Sequence, residues 1–322
     1  MRIGIVGAGM AGLACARVLA DRGGDIWLFD KGRGPGGRMS TRRVATPLGE
    51  AAFDHGAQYF TARHPRFVEV VNGWQHRGLV APWPEAHAEA WVGVPGMNAV
   101  IGDMARRHKV AFGEIVKSLE QRGDGWHFRL DAGVAGPFDL AILAVPAEQA
   151  ATLISLHDFE MARVAIRARS KPCWTGLFAF GERLATAQDV FRDRGIIAWA
   201  ARNSAKPGRR GPESWVVQAQ PSWTEAHCED DRDDVSQALL DALASELGVA
   251  RPDPVAAAAH RWRFAMSNGT GDQALWNPGK QLGVCGDWLM GPRVESAWLS
   301  GHLLGQRIVG NADDGEAYLR TA

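Results

Sequence analysis

The sequence predicts an α/β protein of two domains, one on a parallel sheet and the other, of α+β type, on a mixed or antiparallel sheet. Three features carry that expectation. They are a strand–glycine turn–helix–strand unit at the start of the chain, buried parallel-strand patterns around Ile142 and Val284, and spaced strand-like runs from Cys173 to Ala219. In the opening unit, Arg2-Ile3-Gly4-Ile5-Val6 is a short apolar strand. Gly7-Ala8-Gly9-Met10-Ala11-Gly12 then matches G-x-G-x-x-G, and Leu13, Ala16, Val18 and Leu19 keep a helical apolar pattern up to Arg22-Gly23-Gly24. Ile26-Trp27-Leu28-Phe29 is a second strand with Asp30 at its end. In this order the pieces form a Rossmann-like dinucleotide unit. Gly7 permits the tight turn, Gly9 lets the backbone approach a pyrophosphate, and Gly12 lets the helix pack close to the strand. Met10 and Ala11, at the helix N-terminus, offer free N–H groups and the positive end of the dipole to phosphates. Asp30 lies 18 residues after Gly12, placed to accept both adenosine ribose hydroxyls.

The next segment selects the dinucleotide. Lys31-Gly32-Arg33-Gly34-Pro35-Gly36-Gly37-Arg38 is a basic glycine loop, followed by Met39-Ser40-Thr41-Arg42-Arg43. It resembles the R-x-G-G-R segment of flavoprotein oxidases in the amine oxidase and glutathione reductase superfamily, and so implies FAD. Gly36 and Gly37 expose N–H groups, and Arg38 brings charge and a planar donor fork. Lys31, Arg33, Gly37, Arg38 and Met39 therefore join the expected cofactor contacts. Gly113-Glu114-Ile115-Val116 follows a short strand and presents backbone, notably at Val116, to the adenine. Phe138 to Pro146 reads as a buried parallel strand ending in a small-residue turn. Leu282 to Asp287 is a strand ending in Gly286-Asp287, and in that superfamily the Asp bonds the ribityl chain. Val294, Glu295 and Ser296 open a helix running to about Val309, whose N-terminus faces the flavin pyrimidine ring. Cys285 sits inside a buried strand pattern, the wrong place for a covalent flavin link, so FAD is expected to be non-covalent.

These segments define a discontinuous FAD-binding domain over 1–60, 95–150 and 272–322, with 61–94 and 151–271 forming the substrate domain. Within the latter, His64-Pro65-Arg66 begins a helix with Phe67, Val70, Val71 and Trp74, and Trp83 and Trp91 flank a hairpin. Strand-like runs cover 173–180, 195–199 and 214–219, and Lys206 to Pro212 is a surface loop. The acidic run Glu229 to Asp234 precedes Val235, Leu239, Leu240, Leu243 and Leu247, an amphipathic helix whose start the acids cap.

The chain has 322 residues with 36 basic and 36 acidic side chains, so no global field draws nucleic acid. Cys15, Cys173, Cys228 and Cys285 have no C-x-x-C spacing, which points away from a metal site and towards a reducing compartment. The glycines of the first twenty residues fall at motif spacing, which argues against a signal peptide. No other apolar run is long enough to span a membrane. A cytoplasmic location is expected.

A wider resemblance comes from GAGMAG, DKGRGPGGRMSTRR, DHGAQYFT (54–61), HRWRFA (260–265) and CGDWLMGPRVESAWLSG (285–301) taken together. The chain resembles the renalases, in their bacterial branch, along its whole length. That resemblance implies an FAD oxidase converting 1,2- and/or 1,6-dihydro-NAD(P) to NAD(P)+. Hydride would go to flavin N5, and O2 would reoxidise the flavin to give hydrogen peroxide, in metabolite repair. His55, Gly56 and Ala57 join the cofactor set. Such chemistry needs stacking, orientation and water exclusion rather than a strong base. Gln58 and Tyr59 are candidates for the wall beside the flavin, the first to hold a carboxamide and the second to stack or hydrogen-bond, the other reading of both being core packing with a satisfied amide. His260 and Trp262 share one face of a strand, with Arg261 on the other. Trp174, Trp199 and Trp215 either line the pocket or belong to the core. Arg63, Arg66, Arg209 and Arg210 either meet substrate phosphates or are solvated. Two other readings are a flavin amine oxidase and a non-catalytic FAD-binding redox sensor. An amine oxidase commonly sets two aromatic side chains, often tyrosines, against the flavin, and only Tyr59 and Tyr318 exist.

Overall fold

A computed structural model describes residues 1–310, so Tyr318 and the end of the expected third FAD segment lie outside the described residues. The described residues form two compact units, one from 1–37, 101–170 and 266–310, the other from 38–100 and 171–265.

The first unit carries a six-stranded sheet. Its order is Leu275–Asn277, Leu282–Val284, Leu140–Leu143, Arg2–Val6, Asp25–Asp30, Lys109–Phe112. All pairings are parallel except the edge pair Leu275–Asn277 with Leu282–Val284. Ile3 is matched by Leu140 on one side and Ile26 on the other. These central strands are apolar at nearly every position because both faces of the sheet are covered. The helix Met10–Ala20 makes the crossover between the first two strands, and a three-stranded antiparallel sheet (Ser118–Arg122, Gly125–Arg129, Val134–Phe138) adds Trp126, Phe128 and Phe138 to the core. The apolar run expected as one strand from Phe138 is split. Phe138 ends the antiparallel sheet and Leu140–Leu143 enters the parallel one, because Asp139 turns out to accept the backbone N–H of Arg2 at 2.7 Å.

Close approach of two helices fixes this unit. A Cβ on Gly301, in the helix Val294–Ile308, would lie 1.9 Å from the carbonyl oxygen of Ala11 in the first helix. A Cβ on Gly12 would lie 2.1 Å from the carbonyl oxygen of Gly7. Only hydrogen fits at either place.

The second unit holds a five-stranded sheet in the order Val190–Arg194, Ile197–Arg202, Glu213–Ala219, Ser170–Phe180, Ala256–Ser267. The helix Arg232–Leu247 packs Val235, Leu239, Leu240 and Leu243 onto Trp174, Phe178, Trp215 and Val217. Asp231 caps it, accepting the Asp233 N–H at 2.7 Å, so the acidic run does cap the helix. Two hairpins, Thr41–Thr46 with Gly49–Asp54 and Val80–Pro82 with Trp91–Gly93, and the helix Pro65–His76 complete the unit. Residues 38–60, placed from sequence with the dinucleotide segments, belong here, because Ala51 and Phe53 bury against Leu177, Ala179 and Val216. Among the described residues no helix is long and apolar enough to cross a membrane.

Gly301→Val should force the two helices apart, at a cost of roughly 1–3 kcal/mol or more. A thermal melt checks this, and an unchanged Tm would disprove the close approach.

Candidate functional site

In the first unit the glycine turns build a cradle. Gly7 has φ +102°, and its N–H donates to the Phe29 carbonyl at 2.8 Å, closing the turn over the second strand. Asp30 holds both glycine loops. Its Oδ2 accepts from Ala8 N at 2.8 Å and its Oδ1 from Gly32 N at 2.7 Å. Nothing lies within 4 Å of where a Cβ on Gly9 would be, and one on Gly37 would have Gly9 Cα as its nearest neighbour, at 4.0 Å. The two loops therefore face one another across open space, bounded by backbone rather than side chains, as a pyrophosphate requires. Met10 and Ala11 are buried at the helix start, while Lys31 and Arg33 are exposed. The Gly286 N–H donates to Ser300 Oγ at 2.9 Å, which ties the Gly286-Asp287 turn to the helix Val294–Ile308. Asp287, Glu295 and Ser296 are buried there, Glu295 in the first turn, and Val294 is half-buried beside them. Val116 packs its side chain into the core, leaving only backbone for a ligand. These residues fit a dinucleotide.

In the second unit, Arg38, His55, Gly56, Ala57, His260 and Trp262 come together. Arg38 O accepts the Ala57 N–H at 2.8 Å, and a Cβ on Gly56 would lie 2.0 Å from that same oxygen. Arg38 Nη1 donates to the Ala265 carbonyl at 3.3 Å, while Met39 is buried beside it in sequence. Trp262 Nε1 donates to the His55 carbonyl at 2.7 Å and its ring stacks on His55 at 5.0 Å. His260 meets both edge-on, at 4.8 Å from His55 and 4.4 Å from Trp262. His260 and Trp262 do share a face, and Arg261 pairs with Glu229. Burial lowers both His55 and His260 from 6.5 to about 4, so both are neutral at pH 7. His55 Nδ1 is buried with no partner among the described residues.

Beside this cluster lies a feature the sequence concealed. Asp54 is fully buried and accepts four donors, Thr41 Oγ1 at 2.7 Å, Met97 N at 2.9 Å, Lys206 Nζ at 3.4 Å, and Arg209 Nη2. Lys206 and Arg209 are thus not surface-loop cations; their side chains turn inward because a buried carboxylate needs opposite charge. Burial raises the Asp54 pKa, but the two cations outweigh it and bring it to about 2. Burial, partly offset by Asp54, brings Lys206 down to about 8. Gln58 is a node of this network. Its amide N–H groups go to the carbonyls of Asp54 (2.6 Å) and Gly56 (3.1 Å), and its oxygen accepts Lys206 Nζ at 3.1 Å. Both bonds of its amide nitrogen thus go to the chain itself.

Lys206 Nζ lies 5.2 Å from the ring centre of Trp83, Trp83 meets Trp199 edge-on at 6.4 Å, and Tyr59 lies 5.5 Å from Trp199. The Arg192 guanidinium covers Trp199 at 4.3 Å and Tyr59 at 5.7 Å. The indole N–H groups of Trp83 and Trp199 are buried without an acceptor among the described residues. Trp174 and Trp215 bury fully under the long helix and belong to the core. Arg63 pairs with Glu89 at the surface. Sequence reasoning missed Trp83, Arg192 and Lys206. Arg192 comes to Trp199 only through the antiparallel register of two strands, and Lys206 stands in a Pro/Gly segment that reads as solvent-exposed.

A model of the NAD(P)-binding Rossmann-like domain matches residues 5–74, and one of the flavin containing amine oxidoreductases matches 84–309. Renalase of Mus musculus is 24% identical over 305 residues, 82% of this chain and 85% of that protein. Two solved structures share the fold at TM-score 0.72 and cover 95% of this chain and 98% of their own. One, from Exiguobacterium sp. 255-15, is assigned as a protoporphyrinogen oxidase (11% identity), and the other is cyclohexylamine oxidase from Brevibacterium oxydans IH-35A (13%). Together with the cradle these matches imply a flavin cofactor.

Asp54→Asn should cost about 3–5 kcal/mol, since it leaves two buried cations without their counter-charge; denaturant titration at pH 7 checks this, and a loss below about 1 kcal/mol would refute it. In the wild type, the unfolded chain protonates its histidines first as pH falls from 6.5 towards 4, so stability is lost across that window. The contribution of Asp54, present above 3.8, is then lost as pH falls through about 2. Titrations at stepped pH should show the first slope shrink in His260→Gln; an unchanged slope would contradict the shift.

Proposed function

This chain belongs to the family of flavin-containing amine oxidoreductases, and from that premise we propose that it is a renalase-type FAD oxidase in the cytoplasm. On this reading it converts 1,2- and/or 1,6-dihydro-NAD(P), with O2 and a proton, to NAD(P)+ and hydrogen peroxide. The glycine cradle, Asp30 and the Gly286-Asp287 turn would hold FAD non-covalently, and the bound FAD would supply the hydride-accepting N5 and the route for electrons to O2.

One observation carries the substrate class: the aromatic wall of Tyr59, Trp83 and Trp199 is lined by the cations Lys206 and Arg192, and the carboxylate built into it, Asp54, is already filled by four donors. A protonated amine entering there would meet like charge and no free counter-charge. A dihydropyridine ring is neutral, packs against the aromatic wall beside Arg192, and carries a carboxamide oxygen that the unpaired indole N–H groups lack. As the ring gives up hydride it becomes cationic. The faces of Tyr59 and Trp199 accept that developing charge, while Lys206 and Arg192 weigh against retaining the oxidised product. Neutral His55 and His260 add no opposing charge at pH 7. No base is required, because aromatisation drives the hydride loss. The murine renalase similarity supports the same reading. The four thiols, all unpaired, fit a reducing compartment.

Anaerobic mixing with 1,2-dihydro-NAD, 1,6-dihydro-NAD, ordinary NADH and a panel of primary amines should bleach the flavin fastest with an isomer, with peroxide appearing on admission of air. Bleaching by amines alone would move the protein to amine oxidation. An oxidised flavin after every addition would leave FAD bound with no turnover of these substrates.

A further inference from the structure

We propose that Arg192 forms a phosphate-recognition subsite at the rim of the aromatic wall, which makes the protein selective for dihydropyridines that carry a nucleotide diphosphate. The inference rests on the proposed substrate. Arg192 is exposed, in the strand Val190–Arg194, directly opposite Trp199 in the antiparallel register. Its guanidinium carbon lies over the wall, 4.3 Å from the Trp199 ring centre and 5.7 Å from that of Tyr59. A guanidinium has five N–H donors in a planar fork. Here one nitrogen, Nη2, donates to the Ala86 carbonyl, and no carboxylate neutralises the charge among the described residues.

An arginine spread over aromatic faces is pre-organised, so little rotamer freedom remains to be lost when an anion arrives. Its surroundings favour an anion. Lys206 and Arg209 against the single Asp54 leave one net positive charge buried behind the wall, and the Trp83 and Trp199 N–H groups add unpaired donors. Because Arg192 already covers the Trp199 face, a substrate ring packed against the wall lies beside the guanidinium, and its diphosphate, one ribose on, comes within reach of the fork. A bidentate guanidinium–phosphate contact then meets the substrate charge. A phosphate-free dihydropyridine would stack on the same wall and leave Arg192 unused.

Calorimetric titration of the FAD-loaded protein with ADP-ribose tests the subsite without turnover, since ADP-ribose carries the diphosphate but no pyridine. Arg192→Gln should bind on the order of tenfold more weakly, R192K should recover part of the loss, and wild-type binding should weaken with salt. R163Q removes one positive charge from a surface pair with Glu160 and should bind as the wild type does. An unchanged flavin spectrum and Tm establish that R192Q is folded. Equal binding by R192Q and wild type, or no binding of ADP-ribose to the wild type, overturns the subsite.

Stopped-flow reduction supplies the second readout. R192Q should need a higher half-saturating concentration of the dihydro-NAD isomer that reduces the wild type, with the limiting rate kept and the matching phosphate-free riboside unaffected. Arg192-dependent ADP-ribose binding without reduction by any dihydropyridine would uphold the subsite and sink the substrate. Reduction of wild type and R192Q at equal half-saturation would sink the subsite and leave the reaction standing.

Discussion

A carboxylate buried as deeply as Asp54 can stay charged only if the chain brings donors to it, and much of the second unit is arranged to do so. Asp54 ends the hairpin strand Gly49–Asp54. It fixes the partner strand through Thr41, the loop after Trp91–Gly93 through Met97, and the segment after residue 203 through Lys206 and Arg209. Asn203 joins the same centre, donating to the Ala52 carbonyl at 2.8 Å. Three other stretches of chain are thus tied to one charge. A buried ion pair adds little net stability against an apolar alternative. What it supplies here is registry, since only one arrangement satisfies both oxygens of Asp54 and the amide of Gln58.

That registry reaches the wall. Gln58, held by Lys206 and by two carbonyls, fixes the chain entering Tyr59, and Lys206 itself lies against Trp83. The aromatic residues are set from behind by a charged network and faced in front by Arg192. The wall therefore offers flat apolar area together with positive potential, a combination suited to an aromatic ring that carries an anionic tail. In the first unit Asp30 has a parallel role, because its two oxygens hold the turn at Ala8 and the loop at Gly32 and so set the spacing of the glycine cradle.

The local elements of the first unit were legible. Strand Arg2–Val6, helix Met10–Ala20, strand Asp25–Asp30 and helix Val294–Ile308 fall where apolar periodicity and glycine spacing put them. The helix Arg232–Leu247 was equally plain, since its acid cap and its leucines are encoded within a few turns. The run from Phe138 was misread as one strand because its split depends on Asp139 meeting Arg2, a contact over 137 positions. Of the site, the grouping of His260 with Trp262 followed from strand alternation. Their meeting with His55 did not, for the His55 carbonyl and the Trp262 indole are 207 residues apart.

What the sequence by itself determined is whatever depends on neighbours within a few residues. That covers the period of each helix and strand, the glycine turn that only a backbone without Cβ can make, the caps, and the resemblance carried by contiguous motifs. Tertiary structure alone decided the direction of the charges. Lys206 and Arg209 sit in a Pro/Gly-rich segment whose composition signals solvent, yet both turn inward, because the field of a buried Asp54 outweighs the local preference for water. Arg192 is the first of three exposed residues that end an unremarkable strand, and it covers an aromatic wall only because the antiparallel register sets it opposite Trp199. Electrostatic pairing and strand register act across space between segments that are remote along the chain, so no local pattern in the sequence records them.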